Sequence, residues 1–133
     1  MSYFDATVCK IDSCDSLHVV EFKFHKQTLK MMSLDLSENI VIGSRVKLVV
    51  KPSHVSIAKN FSGEISCSNK LSATITSCEN GELLTALTLD VFGSTLESII
   101  TKSSSLKMAL HVDDCVTALI KSSELSITEV YVD

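Results

Sequence analysis

Tryptophan is absent from the 133-residue sequence, and its aromatic residues are limited to five phenylalanines and two tyrosines. Arg45 is the single arginine, and the formal net charge is −4 with a pI near 5.5. Proteins that bind nucleic acid usually present a basic face and aromatic side chains on which bases stack. These deficits predict that nucleic acid is not a partner of this chain.

Long apolar segments and a leader sequence are missing as well. No apolar run approaches the ~20 residues that are needed to cross a membrane. The opening residues, Met1 to Asp5, lack the basic region and the apolar stretch of a signal peptide. We therefore expect a cytoplasmic protein without a membrane partner.

Cysteine occurs five times, which is an odd number, and no two cysteines form a C-x-x-C pair. This pattern is typical of free thiols in a reducing compartment, and a zinc site is the alternative hypothesis. The cysteines are Cys9, Cys14, Cys67, Cys78 and Cys115.

Motifs of catalysis are also missing. The sequence contains no G-x-S-x-G, no H-E-x-x-H, no phosphate-binding P-loop and no G-x-G-x-x-G. The four histidines lie apart from any cysteine or carboxylate at metal-ligand spacing, and we expect them to be surface or packing residues. They are His18, His25, His54 and His111. These features predict that the protein is not an enzyme.

The most informative feature that is present is an internal repeat. "FDATV" at 4–8 resembles "LSATI" at 71–75, and "VKLVVKPSHVSI" at 46–57 resembles "VTALIKSSELSI" at 116–127. The two pairs occur in the same order along the chain and at nearly the same offset. A repeat of this length indicates two similar structural units. We predict a first unit at 1–62 and a second at 63–133.

The repeated segments have the pattern of β-strands. "LHVVEFKF" at 17–24 and "ELLTALTLDVF" at 82–92 alternate apolar and polar residues, which favours strands with one buried face. Asn80-Gly81 and Phe92-Gly93 predict hairpin turns. Residues 103–110 predict a short helix capped by a serine. Residues 36–43 are its shortened equivalent in the first unit.

This order of elements predicts an all-β fold with short helices, in which two small OB-like Greek-key β-barrels stand in tandem. Barrels of this type can also bind oligonucleotides, and oligonucleotide binding is one hypothesis for the function of the chain. The acidic charge and the few aromatic residues count against it.

A lysine followed by hydroxyl side chains ends an apolar strand in both units, as Lys51-Pro52-Ser53 and as Lys121-Ser122-Ser123. One interpretation is that lysine and serine simply close the strands. The other is an anion site, because ammonium, hydroxyl and backbone N–H groups are all donors. A pocket of donors alone suits an oxyanion without a proton, such as sulfate, molybdate or tungstate.

The motifs resemble those of the molybdate-binding Mop (TOBE-type) domains. That family has S-A-R-N-x-L-x-G, V-T-x-x-S and A-V-I-K-A-S-x-V motifs, and the second unit offers "SCSNKLSA" at 66–73, "ITKSS" at 100–104 and "ALIKSSEL" at 118–125. The first unit retains "IVIGSRV" at 40–46 and "VVKPSHV" at 49–55. The resemblance therefore extends over nearly the whole chain as a tandem pair.

The resemblance implies OB-like barrels that assemble into a homo-oligomer, with a trimer favoured and a dimer as the alternative. It implies molybdate or tungstate as the bound ligand, at sites where different units meet, and no other cofactor. The ligand-binding residues that it implies are Ser66, Cys67 (through its backbone), Ser68, Thr101, Ser104, Lys121, Ser122 and Ser123, with Lys51 and Ser53 in the first unit.

The chain departs from the family motif at three points. Ser68 replaces the arginine, Ala73 and Ala6 replace the glycine, and only Met1 precedes the first strand of the first unit. Two hypotheses follow. The first is a cytoplasmic protein for molybdenum storage, buffering or sensing. The second is a regulatory or interaction module of a molybdate transporter or regulator, with a degenerate oxyanion site.

Overall fold

The computed structural model describes residues 1–132 of the chain. Ten strands, one α-helix and two 3₁₀ turns form within this range. The strands are β1 (Ser2–Cys14), β2 (Leu17–Phe24), β3 (Gln27–Ser33), β4 (Arg45–Val50), β5 (Ser56–Ala58), β6 (Asn69–Asn80), β7 (Leu84–Val91), β8 (Ser94–Thr101), β9 (Cys115–Ile120) and β10 (Ser126–Val130). The helix is α1 (Lys102–Lys107), and the 3₁₀ turns are Pro52–His54 and Ser122–Glu124.

The strands form two five-stranded sheets that exchange their closing strands. One sheet has the order β10-β4-β1-β2-β3, and the other has the order β5-β9-β6-β7-β8. The closing strand of each half of the chain thus pairs with the other half, β10 against β4 and β5 against β9. Each sheet contains strands from both sides of the boundary at residue 62, and that boundary stays a prediction for the division into domains.

Strands β1–β4 and β6–β9 contain runs in which alternate residues are buried, as the sequence pattern predicts. Leu71, Ala73 and Ile75 of β6 are buried, as are the residues at the equivalent positions of β1, Phe4, Ala6 and Val8. Both long strands shift register at the same point, just after Val8 and just after Ile75. Bulges at equivalent points bend both strands alike. The predicted fold of two tandem OB-like barrels is confirmed.

Local structure differs from the predictions at three points. The β6–β7 hairpin forms, but its connection has three residues, and Gly81 donates its N–H to the Leu84 carbonyl at 2.8 Å. Helix α1 is capped by Thr101, whose hydroxyl accepts the Ser104 N–H at 3.2 Å, instead of by a serine. Residues 36–43 form turns without a helix.

The single helix of the described part of the chain has six residues. No helix within residues 1–132 is long and apolar enough to cross a membrane.

Candidate functional site

The start of β6 and the end of β9 lie side by side. Asn69 pairs with Ile120 in the antiparallel ladder, so the polar residues before β6 lie next to Lys121. A cleft of about 500 Å³ opens at this place, and we name it the donor cleft. Its lining residues are Ser53, His54, Ser56, Ile65, Ser66, Cys67, Leu119, Lys121, Ser122 and Glu124.

The donor cleft gathers half of the ligand-binding residues that the sequence predicts. Ser66 and Cys67 line it together with Lys121 and Ser122, and Ser53 joins them from the first half of the chain. From the family resemblance, we expect Ser66 and Cys67, the strip before β6, to meet Lys121 of another unit. Here both belong to the same sheet of one chain, and further contacts between chains stay a prediction.

A smaller cleft of about 280 Å³ lies at the equivalent place in the first half of the chain. Lys51 and Ser123, the remaining predicted ligands of the two lysine segments, line it. Met1, which corresponds to Ser68 when "FDATV" is aligned with "LSATI", lines it as well. The smaller cleft is therefore lined by a lysine, by Ser123 and Ser126 and by Met1, whereas the Ser66–Cys67 strip lines the donor cleft.

Three of the predicted ligands line neither cleft. Ser68 is exposed beside the start of β6. Thr101 and Ser104 bond to each other at the start of α1, where the Thr101 hydroxyl donates to the Ser104 hydroxyl at 2.9 Å. Their role as ligands stays a prediction.

Asn69 fixes the strip that lines the donor cleft. Its side chain is fully buried, donates from Nδ2 to the Lys30 carbonyl at 2.9 Å and accepts the Lys30 N–H at 2.7 Å. Ser2, the equivalent residue of the first half, accepts the Glu97 N–H at 2.8 Å in the same manner. Buried amides need such partners. The sequence motifs do not indicate this role, although Asn69 and Ser2 occupy the same position in the aligned repeats.

A histidine–glutamate pair was also missed. His54 Nδ1 and Glu124 Oε2 lie 2.8 Å apart, and both residues line both clefts. The donors expected from the sequence are thus accompanied by one acceptor, the Glu124 carboxylate, which is engaged by the His54 imidazole. Alignment of the repeats could have indicated this pair, since the two residues occupy the same position in the two halves.

The available donors define what the cleft can bind. An ammonium group, serine hydroxyls and the backbone N–H groups of an irregular segment can hold an anion through charge-assisted hydrogen bonds. Within residues 1–132, no group of three or more histidine, cysteine, aspartate and glutamate side chains is arranged to hold a metal ion. All five cysteines are free.

Comparison with known proteins identifies the domain type and the fold. Residues 65–127 match the TOBE domain profile. The match confirms, over these residues, the TOBE-type resemblance seen in the sequence.

The whole chain is similar in structure to the cytoplasmic molybdate-binding protein ModG in a crystal form with molybdate bound. The TM-score is 0.88 at 24% identity, and the match covers 94% of this chain and 93% of that chain. A molybdate-binding protein from Sporomusa ovata matches with a TM-score of 0.49 at 33% identity, over 50% of this chain and 100% of that chain. No curated protein matches the chain significantly in sequence. The chain therefore has the two-barrel fold of ModG.

Proposed function

We propose that the chain binds molybdate or tungstate reversibly in the donor cleft and serves as a cytoplasmic store, buffer or sensor of the oxyanion. The observation that carries this proposal is the meeting of Ser66 and Cys67 with Lys121 and Ser122 on one cleft. The similarity of the whole chain to ModG, a molybdate-binding protein, agrees with it. The proposed role is binding without catalysis.

The chemistry of the cleft suits such an ion. A tetrahedral oxyanion that carries no proton accepts hydrogen bonds from all sides. Lys121 supplies an ammonium, while Ser66 and Ser122 supply hydroxyls and backbone N–H groups. Each hydrogen bond to a charged oxygen contributes about 1.5–3 kcal/mol, so a few of them hold a small ion.

The proposal includes a homo-oligomer, a trimer in preference to a dimer. Ser53, Ser66 and Lys121 are exposed in the single chain, so a neighbouring chain can cover them and close the cleft. Thr101 and Ser104 of that neighbour are the further ligands that we propose. Binding and assembly are then linked, because an ion held between chains stabilises the assembled state.

Titration calorimetry with molybdate, tungstate, sulfate and phosphate tests the proposal. The wild-type chain should bind molybdate and tungstate, and Lys121→Ala should bind both ions more weakly by about 1.5–3 kcal/mol while its thermal unfolding stays unchanged. Lys26→Ala removes the same charge from the β2–β3 turn, outside both clefts, and should bind like wild type. The proposal is wrong if none of the four ions binds at millimolar concentration.

A second candidate function is an interaction module with a degenerate site, attached to a molybdate transporter or regulator. Ser68 in place of the family's arginine favours it, because serine lacks a permanent bidentate donor. In that case Lys121→Ala changes nothing related to a ligand. The chain then binds its partner protein equally with and without molybdate.

A further inference from the structure

Both clefts share one pair of side chains. The His54 Nδ1 to Glu124 Oε2 distance is 2.8 Å, and each side chain is 37% exposed. The pair joins the two 3₁₀ turns, Pro52–His54 and Ser122–Glu124, which follow Lys51 and Lys121. Each member lines the donor cleft and the smaller cleft alike.

The repeat gives this pair an unusual origin. His54 and Glu124 occupy the same position of the two halves, since "KPSH" at 51–54 aligns with "KSSE" at 121–124. Two identical units would bring like side chains together here, and two carboxylates would repel each other at this distance. Because one half has histidine and the other has glutamate at this position, an imidazole N–H meets a carboxylate here.

The carboxylate acts against the proposed ligand. A dianion beside Lys121 and Ser122 lies in the same cleft as Glu124, and like charges in one cleft repel. The imidazole can place an N–H on the carboxylate whether the ring is neutral or charged, and this bond reduces the carboxylate's repulsion of an anion. It also engages an acceptor that would otherwise favour a protonated oxyanion such as hydrogen phosphate.

We propose that Glu124 determines the specificity of the oxyanion site and that His54 acts on it as a positioning residue. Their bond reserves the donor cleft for unprotonated dianions and weakens hydrogen phosphate as a competitor. This inference rests on the proposed function, since it concerns the selectivity of the same site.

The test is the molybdate dissociation constant of the wild-type chain and five variants, with phosphate as competitor, at one pH and one salt concentration. Glu124→Gln keeps the shape and should bind molybdate about three- to tenfold more tightly, as expected for removing one half-exposed charge. His54→Ala should bind molybdate more weakly by a similar factor and phosphate relatively better. Glu79→Gln removes the same charge at the exposed end of β6 and should match wild type.

The double variant His54→Ala/Glu124→Gln separates charge from structure. If His54 acts through Glu124, the loss caused by His54→Ala disappears when the carboxylate is absent, and the cycle is non-additive. His54→Gln keeps a side-chain N–H donor and should restore most of the affinity. Thermal unfolding verifies that each variant is folded, and Glu124→Gln against Glu79→Gln decides the question if His54→Ala does not fold.

Two results would overturn the inference while leaving the proposed function intact. One is wild-type binding of molybdate with Glu124→Gln equal to Glu79→Gln. The other is an equal loss from His54→Ala with and without Glu124. If the wild-type chain binds none of the four ions, the proposed function fails, and the inference falls with it.

Discussion

The two halves of the chain bind equivalent backbone N–H groups with different side chains. In the first half, Ser44 Oγ accepts the Val41 N–H at 3.0 Å, and in the second half Asp114 Oδ2 accepts the His111 N–H at 2.8 Å. The residue before each acceptor has a positive φ, 96° at Gly43 and 77° at Asp113. The duplicated fold is therefore fixed by backbone geometry, while the polar side chains are free to diverge.

The same divergence separates the two clefts. The donor cleft combines Lys121 with the Ser66–Cys67 strip, whereas the smaller cleft has Lys51 beside Met1. The two halves thus contribute equally to the fold, because each supplies the closing strand of the other's sheet. They contribute different side chains to the two clefts. Four predictions test this contrast.

The largest effect should come from separating the halves. Residues 1–62 and 63–133, expressed alone, each lack the strand that closes their sheet, so neither should form a stable monomer. Mixed together, they should form a heterodimer, in which His54 meets Glu124. Size-exclusion chromatography and amide spectra report this. A folded monomer of either fragment would contradict the conclusion that each sheet needs the closing strand of the other half.

Lysine substitutions should show the inequality of the clefts. Lys121→Ala removes a charged donor from the donor cleft and should cost about 1.5–3 kcal/mol of molybdate binding, while Lys51→Ala should cost less. Calorimetry of both variants measures the difference. Equal losses would mean that the Ser66–Cys67 strip does not distinguish the clefts.

Removing the buried polar residues should destabilise the fold unequally. Asn69→Ala deprives the Lys30 N–H and carbonyl of their side-chain partners and should cost about 1–3 kcal/mol of unfolding free energy. Ser2→Ala removes one hydrogen bond and should cost about 1 kcal/mol. Urea unfolding gives both values. If Ser2→Ala proved the more harmful change, the assigned anchoring role of Asn69 would be incorrect.

Acid should reveal the smallest difference. The His111 N–H, and then the Lys59 ammonium, lower the pKa of Asp114 below its ordinary value of 3.8. A lowered folded pKa adds stability above 3.8 that is lost as the pH falls through the folded value. Asp114→Ser copies the first half and should lack this acid-dependent part. Melting temperatures across the acid range test this, and identical pH profiles would refute it.

The sequence repeat predicted which segments correspond, because strands with one buried face keep their alternating pattern. It could not predict the strand exchange. The closing strands begin alike, with Ser56-Ile57 and Ser126-Ile127, so the sequence pattern does not indicate which sheet each strand joins. Pairing between distant strands depends on the fold as a whole.

Side-chain roles were harder to predict than strands. Asn69 lies in a polar run that is typical of a loop, yet it is buried because the Lys30 backbone satisfies its amide. His54 and Glu124 are distant in the sequence and meet only because the two 3₁₀ turns face each other. Asn80-Gly81 predicted the hairpin correctly, but the connection includes residues 81–83.

A crystal structure of the full chain grown with tungstate tests the central claim most directly, because the heavy atom marks its own position. The account predicts tungstate in the donor cleft, with oxygens about 3 Å from Lys121 Nζ and from donors of Ser66 and Ser122. Tungstate bound only away from Lys121, or absent from the donor cleft at saturating concentration, would contradict it.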